Sequence, residues 1–211
     1  MRNVLYIHGM GGGSDSRIPS ILREEFGRTD VNIVTRTYDF DPEVASEQIA
    51  GWVIELDPVL VIGESLGSLH ALRISGVPHV FVSPALNAPQ YFEFLAWLTL
   101  IPGVSSLFDR IYKPREGDRQ TLHFSFSTLR KYRRHRRLAM QNTTLNGSTD
   151  AFYAFFGTHD HYRKSGIVSL RTWHKYFGNT YSIYEGTHFM EDEYVCGKLT
   201  SVIVKILEIN K

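Results

Sequence analysis

The run Val59-Leu60-Val61-Ile62-Gly63-Glu64-Ser65-Leu66-Gly67-Ser68-Leu69-His70-Ala71-Leu72 places one serine hydroxyl between two glycines, directly after a buried-type apolar stretch and before a helix-like one. A serine hydroxyl is a weak nucleophile, and it becomes useful when it is exposed beside a base and beside donors for a developing oxyanion. A serine at a sharp strand-to-helix turn is forced into a strained backbone geometry, and glycines two residues to either side let strand and helix approach without Cβ clashes. The start of the following helix also favours negative charge near Ser65. A plainer reading is an ordinary N-cap serine after a buried strand. A second segment, Gly9-Met10-Gly11-Gly12-Gly13, follows a strand and precedes a helix beginning near Arg17. It lacks a Gly-Lys-Ser/Thr ending and does not match the Gly-x-Gly-x-x-Gly dinucleotide fingerprint, so nucleotide binding is not expected of it.

Both segments need a scaffold that ends strands at a common edge. Short β-branched and aromatic runs at 4–7, 32–35, 59–62, 79–82, 152–156 and 180–184 alternate with helix-period segments, the signature of a parallel sheet covered by helices. Asp41 and Pro42 read as an N-cap and first-turn proline, after which Ile49, Trp52, Val53 and Leu56 recur at helical spacing. Val195, Leu199, Val202, Ile203 and Ile206 mark one face of a last helix, in which Cys196 reads as a small core residue. The alternation fails between about 87 and 150, where roughly sixty residues, too many for an ordinary connection, separate the fourth strand from the fifth. The expected organisation is therefore one α/β domain over 1–211 carrying an insertion at 87–150.

At this point the chain resembles the α/β-hydrolase superfamily, and among its members the small bacterial YqiA-type esterases. The resemblance rests on the early Tyr6-Ile7-His8-Gly9, the Gly63-Glu64-Ser65-Leu66-Gly67 turn and the short length. It implies an α/β-hydrolase fold of about six mainly parallel strands, and Ser65 as the nucleophile of a serine esterase acting on a carboxylic ester or thioester. It also implies backbone oxyanion donors at Leu66 and Met10, the latter in the loop after the first strand. In the superfamily's order of serine, acid, histidine, the acid falls on Asp160 in Gly157-Thr158-His159-Asp160, and the base on His188 in Gly186-Thr187-His188-Phe189. Asp150, Glu191 and Asp192 are weaker choices for the acid, and Asn87, where some relatives keep theirs, is no carboxylate. Each chosen segment follows a strand directly, which is where an open parallel sheet binds ligands.

The insertion resembles the superfamily's helical cap, with Tyr91, Phe92 and Trp97 expected to line an apolar substrate pocket. Its second half carries a basic run in which Arg130, Arg133, Arg134 and Arg137 share a helical face beside Leu129, Tyr132, Ala139 and Met140. A solvated helix face explains this run most simply, with an anionic substrate, lipid headgroup or nucleic acid as the sharper alternatives. Over the whole chain 23 Lys+Arg balance 22 Asp+Glu to a net charge of +1, so any charge argument must be local and no nucleic-acid partner is expected. His159 and His161 read as loop residues rather than metal ligands, and no cofactor or metal is expected. The stretch 91–108 is broken by Glu93, Pro102, Gly103, Ser105 and Ser106, so it fails the test for a membrane span. A single cysteine and a start without a leader-like apolar region point to the cytoplasm. An acyltransferase using the same residues, or a non-catalytic module on this scaffold, are the rival readings.

Overall fold

Strand residues alternate between two apolar faces, and this alternation organises the molecule. In the computed structural model, which describes residues 1–114 and 116–209, six strands form one parallel sheet: β1 (Arg2–Ile7), β2 (Val31–Thr35), β3 (Leu60–Glu64), β4 (His79–Val82), β5 (Phe152–Gly157) and β6 (Tyr181–Tyr184), in the order β2-β1-β3-β4-β5-β6. Leu5, Ile7, Val61, Phe81, Ala154 and Phe156 face one core, whereas Val4, Tyr6, Leu60, Ile62, Val80 and Val82 face the other. A sheet buried on both sides needs apolar residues at successive positions, which is why these strands read as near-continuous apolar runs.

Helices α1 (Arg17–Phe26) and α10 (Thr200–Ile209) cover one face through Ile18, Leu22, Phe26, Ile203 and Leu207. Helices α2 (Pro42–Leu56), α3 (Gly67–Ala71), α6 (Phe126–Ala139) and α8 (Leu170–Phe177) cover the other through residues such as Ile49, Leu69, Leu129 and Trp173. The Asp41 side chain accepts from the Glu43 amide at the start of α2, with Pro42 in the first turn, as the sequence predicts. Between β4 and β5 lie α4 (Ala88–Leu98), α5 (Val104–Ile111) and α6, the expected helical insertion. Short helices α7 (Tyr162–Ser165) and α9 (Asp192–Tyr194) flank the last two strand ends.

Two details differ from the sequence-based expectation. The last helix is not uniform: Val195–Leu199 forms a π-helical turn before α10. Cys196 is exposed rather than part of the core, because the buried stripe runs through Val195, Leu199, Ile203 and Leu207 and leaves the neighbouring position facing outward.

Candidate active site

The strand order reverses direction between β1 and β3, so the loops leaving these neighbours depart to opposite sides and open a crevice at their carboxyl ends. A cleft of about 650 Å3 sits there, lined on one side by Gly9 and Met10 after β1 and on the other by Ser65 and Leu66 after β3.

Ser65 adopts a positive φ of 49°, a left-handed conformation that a residue with a Cβ holds only when its surroundings impose it. Its amide donates to the Val82 carbonyl at 2.9 Å, and its own carbonyl accepts from the Ala85 amide at 3.0 Å, pinning the turn to the end of β4. The flanking glycines are sterically required. A Cβ on Gly63 would lie 2.8 Å from Ser68 Cα, and one on Gly67 would overlap the carbonyl oxygens of Ile7 and His8. Close approach of α3 to β3 therefore depends on Gly63, and its approach to the end of β1 on Gly67.

His188 and Asp160 arrive from the ends of β6 and β5. Ser65 Oγ lies 2.9 Å from His188 Nε2, and His188 Nδ1 lies 2.8 Å from Asp160 Oδ2. The other Asp160 oxygen accepts from the Tyr162 amide at 2.8 Å, which fixes the carboxylate, and both side chains are almost fully buried. The loop carrying His188 is braced from both sides: the Tyr184 hydroxyl donates to the Thr187 carbonyl, and the Thr187 amide donates to Glu191. Arg17 adds contacts to the Phe189 and Met190 carbonyls and to Asp192. The other carboxylates considered for the acid are engaged elsewhere, Asp150 with the Gly76 amide, Glu191 with Thr187 and Asp192 with Arg17.

The amides of Met10 and Leu66 make no hydrogen bond among the described residues, and both residues line the cleft. The loop holding Met10 is itself tied to the insertion. Buried Gln120 donates from its amide to the Gly12 carbonyl at 2.7 Å, accepts from the Gly11 amide at 3.0 Å and donates through Nε2 to the Tyr38 carbonyl at 3.1 Å. A one-residue antiparallel bridge pairs Gly13 with Arg119 beside it. No sequence pattern marks Gln120; it is one polar residue in an irregular stretch.

Beneath the loop, burial pushes His8 down to about 4 and keeps its ring neutral, stacked on Tyr38 at 4.3 Å. Tyr38 touches His70, and His70 touches His135, which burial and then Arg73 push down to about 3. Tyr6 is held protonated by burial and by the Glu64 carboxylate, to which its hydroxyl donates at 2.9 Å.

Of the three aromatic residues expected at the substrate pocket, Phe92 lines the cleft. Tyr91 instead reaches the Ser165 carbonyl, and Trp97 packs edge-on against Phe126 on the outside of α4. The inward face of α4 is Ala88, Phe92 and Ala96, spaced by four, which turns positions 91 and 97 away. Ile111, Tyr112, Leu122, Tyr162 and Ile167 complete the apolar wall. His159 and His161 are exposed, with His161 against the Tyr162 ring.

No family model matches the chain, and no curated protein matches it in sequence. Solved structures do match over nearly its whole length. A monoacylglycerol lipase from Paleococcus ferrophilus is 17% identical with a TM-score of 0.64, covering 98% of this chain and 94% of the lipase. Est1E from Butyrivibrio proteoclasticus, with ferulic acid bound, is 15% identical with a TM-score of 0.65, covering 99% and 90%. Mouse alpha/beta hydrolase domain-containing protein 10 is 12% identical with a TM-score of 0.67, again covering 99% and 90%. The chain has the α/β-hydrolase fold.

Proposed function

We propose that this protein is a serine hydrolase that cleaves a carboxylic ester or thioester through Ser65, His188 and Asp160. The observation that carries the reading is the hydrogen-bonded line from Ser65 Oγ through both ring nitrogens of His188 to a buried Asp160, opening on a cleft. Asp160 accepts a hydrogen bond from Nδ1–H, which keeps that proton on Nδ1 and leaves Nε2 free to take the proton of Ser65 as its oxygen attacks the substrate carbonyl. The Met10 and Leu66 amides, without partners among the described residues, receive the negative charge that develops on the carbonyl oxygen. His188 returns its proton to the leaving group, an acyl-enzyme remains on Ser65, and water activated by His188 releases the acid.

The segment 87–150 serves as a cap whose inner residues, with Phe92 among them, form the acyl pocket. The lipase named among the structural matches supports hydrolase chemistry on this scaffold. Tyr6-Ile7-His8-Gly9 and the serine turn support a place near the small YqiA-type esterases. Among the described residues no helix is long and apolar enough to cross a membrane, and the exposed, unpaired thiol of Cys196 supports a cytoplasmic setting. Labelling with a fluorophosphonate probe tests the reading. The probe is expected on Ser65 of the intact protein and absent from Ser65→Ala. An unlabelled wild-type protein, or a Ser65→Ala variant that still turns over an aryl ester at the wild-type rate, overturns it.

A further inference from the structure

Helix α5 carries Val104, Leu107, Phe108 and Ile111, an i, i+3, i+4, i+7 stripe that in a globular protein normally faces the core. Here every residue of α5 is at least partly exposed. Phe108 packs on Phe124, but Leu107 is 53% and Ile111 62% exposed, and the adjoining Phe94, Leu100 and Ile101 are more than half exposed as well. So much open apolar surface within about twenty residues marks a contact face rather than scattered surface residues.

Two connections show what kind of partner fits. On one side, Trp97 of α4 lies under the Arg130 guanidinium at 6.0 Å, which joins the apolar face to the basic run of α6. That run holds Arg130, Lys131, Arg133, Arg134, Arg136 and Arg137, while among the described residues its ion pairs engage only Glu93, Asp41 and Glu43. Its five arginines, together with Pro89, Gln90 and the Glu93 carboxylate that pairs with Arg130 and Arg133, line a hollow of about 550 Å3 against the start of α4, where the arginines outnumber the single acid. Arg136 is fixed there by donating to the Leu86 carbonyl and to Asn87 Oδ1. On the other side, Ile111 and Tyr112 line the cleft that holds Ser65. Aliphatic side chains, an interfacial tryptophan and clustered arginines are the composition that binds the headgroup boundary of an anionic bilayer.

We infer that the exposed face of α4 and α5, with the arginine row of α6, docks on an anionic phospholipid surface from which the cleft draws a lipid ester. Arginines in the hollow take lipid phosphates, and the apolar residues enter the acyl boundary beside the cleft mouth. The substrate clause rests on the hydrolase reading above; the docking clause does not.

Co-flotation of the full chain with vesicles tests this, using phosphatidylcholine alone and phosphatidylcholine mixed with phosphatidylglycerol. The wild-type protein is expected to float with the mixed vesicles only and to be released by high salt. Arg133→Ala with Arg137→Ala is expected to weaken partitioning about thirty-fold, and Ile101→Ser with Leu107→Ser about ten-fold. Hydrolysis of a soluble aryl ester is expected to stay unchanged in both. Equal binding to both vesicle types, or wild-type binding by both variants, overturns the inference. So does concentration-dependent dimerisation that is lost in Ile101→Ser with Leu107→Ser and is accompanied by no vesicle binding, which assigns the face to a second copy. A protein that floats but neither labels nor hydrolyses retains the docking face and refutes the hydrolase reading. One that hydrolyses but never floats does the reverse.

Discussion

At the carboxyl edge of the sheet, Asp160 and His188 are almost inaccessible, and their four polar side-chain atoms all have partners. In α5, by contrast, an apolar stripe of the kind that builds cores elsewhere in the chain lies open. Both regions lie within the same fold, and both touch the same cleft. The difference is one of what fixes each element. The strands leading to Ser65 and Asp160 are held by a ladder on both sides, and the edge strand leading to His188 by β5 on one side and by the braces on the loop beyond it, so a side chain placed there has one position. Helix α5 is joined to the body mainly through Phe108, the bond from Ser105 to the Phe124 carbonyl and the acceptance of the Phe124 amide by Asp109. The proposed chemistry rests on the first kind of support, and the inferred surface contact on the second.

This contrast can be broken at several points. The largest expected effect is at the strand ends: Ser65→Ala is expected to lower turnover of an aryl ester by about 10⁶, and Asp160→Asn by about 10⁴, in steady-state assays. A loss below ten-fold in either would detach the buried network from activity. Next comes Gln120→Leu, which leaves the Gly11 amide and the Tyr38 carbonyl without their partner and loosens the loop that holds Met10. A fall of about 10² in kcat with little change in KM is the outcome expected if the loop serves the transition state. An equal rise in KM instead would assign Gln120 to substrate binding.

A third test concerns the buried histidines. Burial keeps His8, His70 and His135 neutral in the folded chain, with His8 titrating at about 4 and His135 at about 3, while in the unfolded chain histidine titrates at about 6.5. Below that value the unfolded state binds protons that the folded state does not, so this contribution is full above about 6.5 and declines as pH falls toward the folded values. The expected loss at pH 5 is about 2 kcal/mol each for His8 and His135, with His70 acting in the same direction, read as a lower urea midpoint. His70→Leu should flatten the dependence. The smallest effect belongs to α5, where Leu107→Ala is expected to change stability by less than about 0.5 kcal/mol by the same measurement, as for other exposed positions.

The strands, their parallel arrangement and the chain order of Ser65, Asp160 and His188 are visible in the sequence because each depends on local signals: an apolar run, a glycine that permits close approach, and a polar residue just beyond it. The pocket wall is different. Phe92 is visible as an aromatic residue in an apolar helix, but nothing local distinguishes it from Tyr91 or Trp97, since the phase of α4 is set by its packing. Ile111, Tyr112, Gln120 and Leu122 come from a stretch whose shape is dictated by contacts with Phe124 and with the loops after β1 and β2, and such contacts leave no periodic trace. Cys196 shows the same limit at a single position, since one step around a helix separates core from solvent.

The π turn at Val195–Leu199 has a consequence for how the chain ends. Residues 195, 199, 203 and 207 are spaced by four, and in a regular α-helix each such step overshoots a full revolution by about 40°. A stripe kept to that spacing would wind away from the flat side of the sheet before reaching Leu207. The wider turn at the outset sets the phase back, so that all four residues meet the same apolar surface. Deleting a single residue there would rotate everything after it by about 100°, turning Ile203 and Leu207 outward while leaving the composition of the helix almost unchanged.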